Sequence, residues 1–215
     1  MNSVNFPCEA AGERFPPRAN AKVCRTLLTI ACVAAWHFPA EAAEAKHEVS
    51  ADTGVESWQM HDRGAGFTLM QITPDQARGF FLGRGFDRPS VDSYASYCVF
   101  MTIVRNESVP KSISYDLADW RVYPRQGEPG KLKLKDEWLK EWRQRNIAEP
   151  ALIAFEWSQH PTTQTLAVGD WNQGMTTYAL PPGSYFDLKF LWKANGVMHE
   201  TTLKNAHCAD STPAR

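Results

Sequence analysis

Tyr185-Phe-Asp-Leu-Lys-Phe-Leu-Trp192 is the stretch whose reading decides the fold. Side chains of a strand point alternately to two faces, so Phe186, Leu188, Phe190 and Trp192 share one wholly apolar face, opposite Tyr185, Asp187, Lys189 and Leu191. That pattern predicts a strand lying on a core. Ala194-Asn195-Gly196 follows, and Asn-Gly suits a two-residue hairpin turn because both central residues need positive φ. Val197 to Leu203 is then the return strand.

Working outward, Tyr94-Ala-Ser-Tyr-Cys-Val-Phe-Met-Thr-Ile-Val104 is rich in β-branched and aromatic residues and predicts another strand, closed by the turn Arg105–Ser108. Ser57–His61 and Gly66–Ile72 alternate around the turn His61–Gly64. Ser112–Leu117, Trp120–Tyr123, Ala151–Trp157 (bounded by Pro150 and Pro161) and Gln164–Val168 complete the strand set. Six to eight short strands with turn residues between them predict a mainly β chain folded as an antiparallel β-sandwich. Two helices interrupt it. Thr73-Pro74-Asp75-Gln76 is a helix-start signature, opening a short helix near 74–83 that Gly79, Gly83 and Gly85 weaken and end. Lys135–Arg145 is amphipathic, with Trp138, Leu139 and Trp142 on one face, and is expected as an insertion between strands. Gly83-x-Gly85 lacks the third glycine of a dinucleotide fingerprint.

The chain has 215 residues, 43 % hydrophobic and 22 % charged, which fits one globular domain. A formal net charge of −1 argues against nucleic acid and against a polybasic membrane surface as partners. Residues 1–43 read as a cleavable signal peptide. Arg14, Arg18, Lys22 and Arg25 precede the apolar run Thr26–Trp36, which is too short to span a bilayer, and Ala40-Glu41-Ala42 fits a cleavage site. The basic stretch is longer than such signals need, which points to a true start downstream, at Val23 if its codon is GTG. Residues 44–55 read as a flexible lead-in, 56–208 as a single β-sandwich domain and 209–215 as a flexible tail. Cleavage removes Cys8, Cys24 and Cys32 and leaves Cys98 and Cys208. An even pair in an oxidising compartment predicts a disulfide. No stable membrane span is expected after cleavage, and the predicted location is the periplasm or outside the cell.

The order of apolar strand, Val104-Arg-Asn106-Glu-Ser, Leu166-Ala-Val-Gly169, Leu180-Pro-Pro-Gly183-Ser-Tyr185 and a final hairpin resembles small secreted immunoglobulin-like domains over residues 94–205. The resemblance implies an immunoglobulin-like sandwich that binds, bridges or assists. It names no activity.

Three sets of residues invite a chemical reading. Met60-His61 and Met198-His199 combine thioether and imidazole, donors that suit copper, although neighbours on a strand point to opposite faces. Asp116, Asp119, Asp170 and Asp187 could include a carboxylate pair for acid–base work or calcium, but their spacing matches no calcium loop and lone carboxylates near turns usually cap. The segment Gly169-Asp170-Trp171-Asn172-Gln173-Gly174-Met175 reads as a turn-rich loop whose Trp171 either packs back onto the domain or presents an aromatic anchor to a partner, whereas Trp120, Trp157 and Trp192 read as core strand residues. No Gly-x-Ser-x-Gly nucleophile elbow occurs. The sequence therefore favours an exported, non-enzymatic accessory domain, without a cofactor, that binds another extracytoplasmic protein or a small ligand through its loops. The alternatives are a periplasmic copper-handling accessory protein and, last, an exported hydrolase.

Overall fold

The computed structural model describes residues 45–211. Residues 1–43, which the sequence reads as a signal peptide and which hold Cys8, Cys24 and Cys32, lie outside the described residues. From the amino end run β1 (Lys46–Val49), β2 (Glu56–Asp62), β3 (Ala65–Ile72), α1 (Pro74–Leu82), α2 (Arg88–Ala95), β4 (Cys98–Asn106), β5 (Ser112–Asp116) and β6 (Arg121–Pro124). Then follow β7 (Leu132–Lys133), α3 (Lys135–Gln144), α4 (Glu149–Ser158), β8 (Thr163–Ala167), β9 (Trp171–Tyr178), β10 (Tyr185–Ala194) and β11 (Val197–His207).

The strands form two antiparallel sheets. One has the order β1-β2-β3-β4-β9-β7; the other runs β11-β10-β5-β8, with β6 pairing the far end of β10. Local chemistry sets the joints. Asn195 and Gly196 have φ of 51° and 80°, and Arg63 and Gly64 have 47° and 84°, so both hairpins turn through two left-handed residues. Thr73 Oγ1 accepts from the Gln76 amide while Gln76 Oε1 accepts from the Thr73 amide, closing the capping box of α1.

Alternation along β4 divides the core in two. Cys98, Phe100 and Val104 face the second sheet, in a cluster with Trp58, Phe67, Trp120, Phe186, Phe190 and Trp192. Val99 and Met101 face the other way, toward a helical layer whose buried aromatics include Phe81, Tyr94, Trp138, Trp142 and Phe155. The molecule is thus a β-sandwich with helices on the outer face of the six-stranded sheet. Cys98 opens β4 and Cys208 follows β11, so their disulfide ties one sheet to the other.

Several sequence expectations give way here. Ala151–Trp157 is helical, inside α4. A short apolar run fits a buried strand or a helix equally, and Pro150 in the first turn, where no amide partner is needed, starts a helix. Ala151, Leu152 and Phe155 are buried on one side, while Trp157 is 85 % exposed and belongs to no core. Tyr94 and Ala95 end α2, which begins where Asp87 accepts from the Ser90 amide, and the strand starts only at Cys98. The segment 169–175 is a loop only as far as Asp170. Trp171 onward pairs with β4 from Arg105 to Cys98, because the ladder outweighs the turn-forming composition. The supposed lead-in 44–55 contains β1, paired with β2, and Ala209 of the supposed tail is buried. The helix at 135–145 is no isolated insertion. It packs with α1, α2 and α4 as one layer.

Candidate functional site: the open face of the six-stranded sheet

The helical layer covers only part of the sheet on which it lies. Cross-strand partners project from the same face, so the pairing register lays out that face row by row. Nearest the helices are Ile72 and Val99. The next row is Glu48, Ser57, Met70, Met101 and Met175, one residue from each of five successive strands. Beyond it come Gln59, Thr68, Ile103 and Gln173, then His61, Gly66, Arg105 and Trp171. Exposure varies within a row as well as between rows. Met175 is 5 % exposed, Met70 42 % and Trp171 49 %.

Where the helices stop, a groove of about 830 Å³ crosses the strands. Met70, Met101 and Met175 belong to its floor, Phe80 and Gln76 of α1 to one wall, and Val49 and Val55, which flank the β1–β2 turn, to the other. Tyr94 is buried behind it, and the single proton of its hydroxyl has two acceptors in reach, Gln159 Oε1 at 3.2 Å and Met175 Sδ at 3.8 Å. Farther out, the Arg105 guanidinium lies 5.0 Å from the Trp171 ring, and His61 Nδ1 meets Glu107 Oε2 at 2.9 Å.

A polar cluster stands behind the β1–β2 turn. Glu56 is bonded to His47 Nε2 and to His207 Nδ1, both at 2.7 Å, so one carboxylate joins β1, β2 and β11. Burial raises the Glu56 pKa, but the hydrogen bonds and charges of His207 and His47 outweigh it and hold the carboxyl below its ordinary value. Gln71, which shares the groove, fixes the same corner by donating to the His207 carbonyl at 2.8 Å. A second buried group, His160, has no hydrogen-bond partner on either ring nitrogen among the described residues. Burial pushes its pKa down to about 4, so the ring is neutral at pH 7.

The residues singled out from sequence separate as follows. His61, Trp171, Gln173 and Met175 come together on the open face, whereas Asn172 lies on the alternate side of β9 and Asp170 holds the preceding turn by accepting from the Ala167 amide. Met60 is 1 % exposed inside the inter-sheet core, on the side opposite His61. Met198 and His199 sit on β11 of the second sheet, with the His199 ring 4.7 Å from Trp192. The two Met-His pairs are therefore not assembled into one donor set. Among the described residues no three His, Cys, Asp or Glu side chains are placed to hold one metal ion. Asp116 and Asp187 accept from the Ala118 and Asn205 amides, as caps do. The methionine row escaped the sequence because strand register is not written in composition, and Met175 lay in a segment read as loop. Among the described residues no helix is long and apolar enough to cross a membrane. No protein-family model, no curated protein and no solved structure matches this chain.

Proposed function

We propose that this chain is an exported, non-enzymatic binding domain, and that it takes a small, predominantly apolar ligand on the open sheet face rather than on its loops. The observation that carries this reading is the groove itself. Its volume falls within the roughly 300–1,000 Å³ range of ligand sites, and its methionine, valine, Ile72 and Phe80 surface is edged by polar residues, Glu48, Ser57, Gln71 and Gln76 among them. Methionines suit such a floor, since three rotatable bonds and a polarizable sulfur let them adapt to varied shapes. The disulfide and the leader support a location in the periplasm or outside the cell. The resemblance to secreted immunoglobulin-like domains agrees with a binding role at the level of fold alone.

Fluorescence titration with the apolar probe anilinonaphthalene sulfonate tests this. The wild-type chain is expected to bind it with enhanced emission. Met70→Glu, which places a negative charge on the exposed part of the floor against the anionic probe, is expected to weaken binding by about tenfold or more with little change in stability. Equal binding by the variant would contradict the assignment of the site.

A further inference from the structure

We propose that Met70, Met101 and Met175 together form a thioether site for a soft monovalent cation, Cu(I) in chemical class. The inference rests on the groove being a ligand site and names a second class of ligand for it. Met70 pairs with Met101 across β3 and β4, and Met101 pairs with Met175 across β4 and β9. Directly paired residues have Cβ atoms about 5 Å apart on one face, and a methionine side chain is long and flexible enough for three such sulfurs to converge over the central strand. All three side chains line the same groove. Thioethers are uncharged, soft donors that favour Cu(I) over the harder divalent ions, and an apolar groove costs a large monovalent cation less than a small divalent one. A thioether sulfur has two lone pairs. The Tyr94 hydroxyl, 3.8 Å from Met175 Sδ, occupies at most one of them and leaves the other lone pair for a metal.

The donor set differs from the Met-His pairs in the sequence, and its pH behaviour tells the two apart. Imidazole must lose its proton to bind, whereas a thioether has none to lose. His61, the histidine on this face, projects two rows away, about 13 Å along the strands, too far to share the ion, and Glu48, the ionisable residue of the groove lining, stands two strands from Met70 in the same row, beyond Ser57.

The test uses the full chain carrying C8S, C24S and C32S, so that no leader thiol competes, with the disulfide intact. Ag(I), an air-stable probe of the same softness, and Cu(I) supplied as its acetonitrile complex without thiol reductant are titrated while the methionine ε-methyl NMR signals are followed. One equivalent is expected to move the Met70, Met101 and Met175 methyls and to leave Met60 and Met198 in place. Affinity is expected to stay constant between about pH 5.5 and 8. Met101→Leu keeps the shape of the floor and is expected to weaken the metal about 100-fold. Metal binding that survives this variant, or that falls away as histidine protonates, would overturn the thioether site. If wild-type protein binds the apolar probe but no metal, only this inference fails; if it binds neither, the groove fails as a ligand site as well.

Discussion

A Cβ on Gly174 would lie 2.3 Å from the backbone nitrogen of His160. That nitrogen donates to the Met175 carbonyl at 2.9 Å, so the chain leaving α4 runs against β9 just where β9 has no side chain. The obstacle is backbone held by a hydrogen bond, which cannot swing aside as a side-chain end would. Gly174→Ala is expected to cost about 2–3 kcal/mol, the upper part of the range for overpacking. Urea unfolding measures it; a change under about 0.5 kcal/mol would show that the crossing is looser than described.

His160 makes stability depend on pH. Its pKa is near 4 in the folded protein, against about 6.5 when unfolded. Between these values the unfolded chain holds one more proton than the folded one. Stability from this group is therefore complete above about pH 6.5 and declines as the pH falls toward 4, by on the order of 3 kcal/mol. His160→Gln is expected to flatten that part of the stability–pH curve relative to wild type, whatever its effect at pH 7. Parallel curves for the two proteins would remove His160 from the explanation.

Trp157 and Trp171 are exposed, at 85 % and 49 %, unlike Trp120, Trp138, Trp142 and Trp192, which are buried. Trp157→Ala and Trp171→Ala are each expected to change stability by no more than about 0.5 kcal/mol, whereas Trp120→Ala should cost about 3–5 kcal/mol. For Trp171 a second effect follows from its place at the outer edge of the open face, stacked near Arg105. Its truncation is expected to weaken association with a native partner. Calorimetric melting of the three variants separates the exposed indoles from the buried one.

The Cys98–Cys208 bridge closes 110 residues of chain and joins the two sheets. In the chain-entropy model a loop of that length stabilises the fold by about 4–5 kcal/mol, with native bridges usually giving about 2–5. Reduction is expected to lower the denaturation midpoint by a matching amount. An unchanged midpoint would mean that the bridge adds nothing beyond what packing supplies.

Much of the sandwich was legible because its signals are local. Alternation in Tyr185–Trp192, Asn195-Gly196 in the turn, and Thr73-Pro74 with Gln76 at a helix start each depend on neighbours a few residues away. The helical layer was half legible. Trp138 and Trp142 announced α3, but Ala151–Trp157 is apolar without a clear period, and a run that short does not choose between strand and helix. Asp87 with Pro89 was a start signal for α2 that the aromatic residues after it obscured.

The candidate site was legible least. Its floor is one residue from each of several strands, and the lateral register that brings Met70, Met101 and Met175 together is fixed by the assembled sheet, not by any one segment. Trp171 and His61 were noticed for their chemistry, but their shared face emerges only from the pairing of β2, β3, β4 and β9. Glu56 joins His47 and His207 across 151 residues of sequence, a constellation no spacing rule covers.

Methionine ε-methyl NMR under saturating phenylnaphthylamine, an uncharged apolar probe, bears most directly on whether the open sheet face is where ligand binds. Met70 and Met101 are expected to shift, with Met60 in the inter-sheet core and Met198 on the opposite sheet left unmoved. Shifts confined to Met198, or no shift at any methionine while the probe is bound, would place the binding surface elsewhere on the molecule.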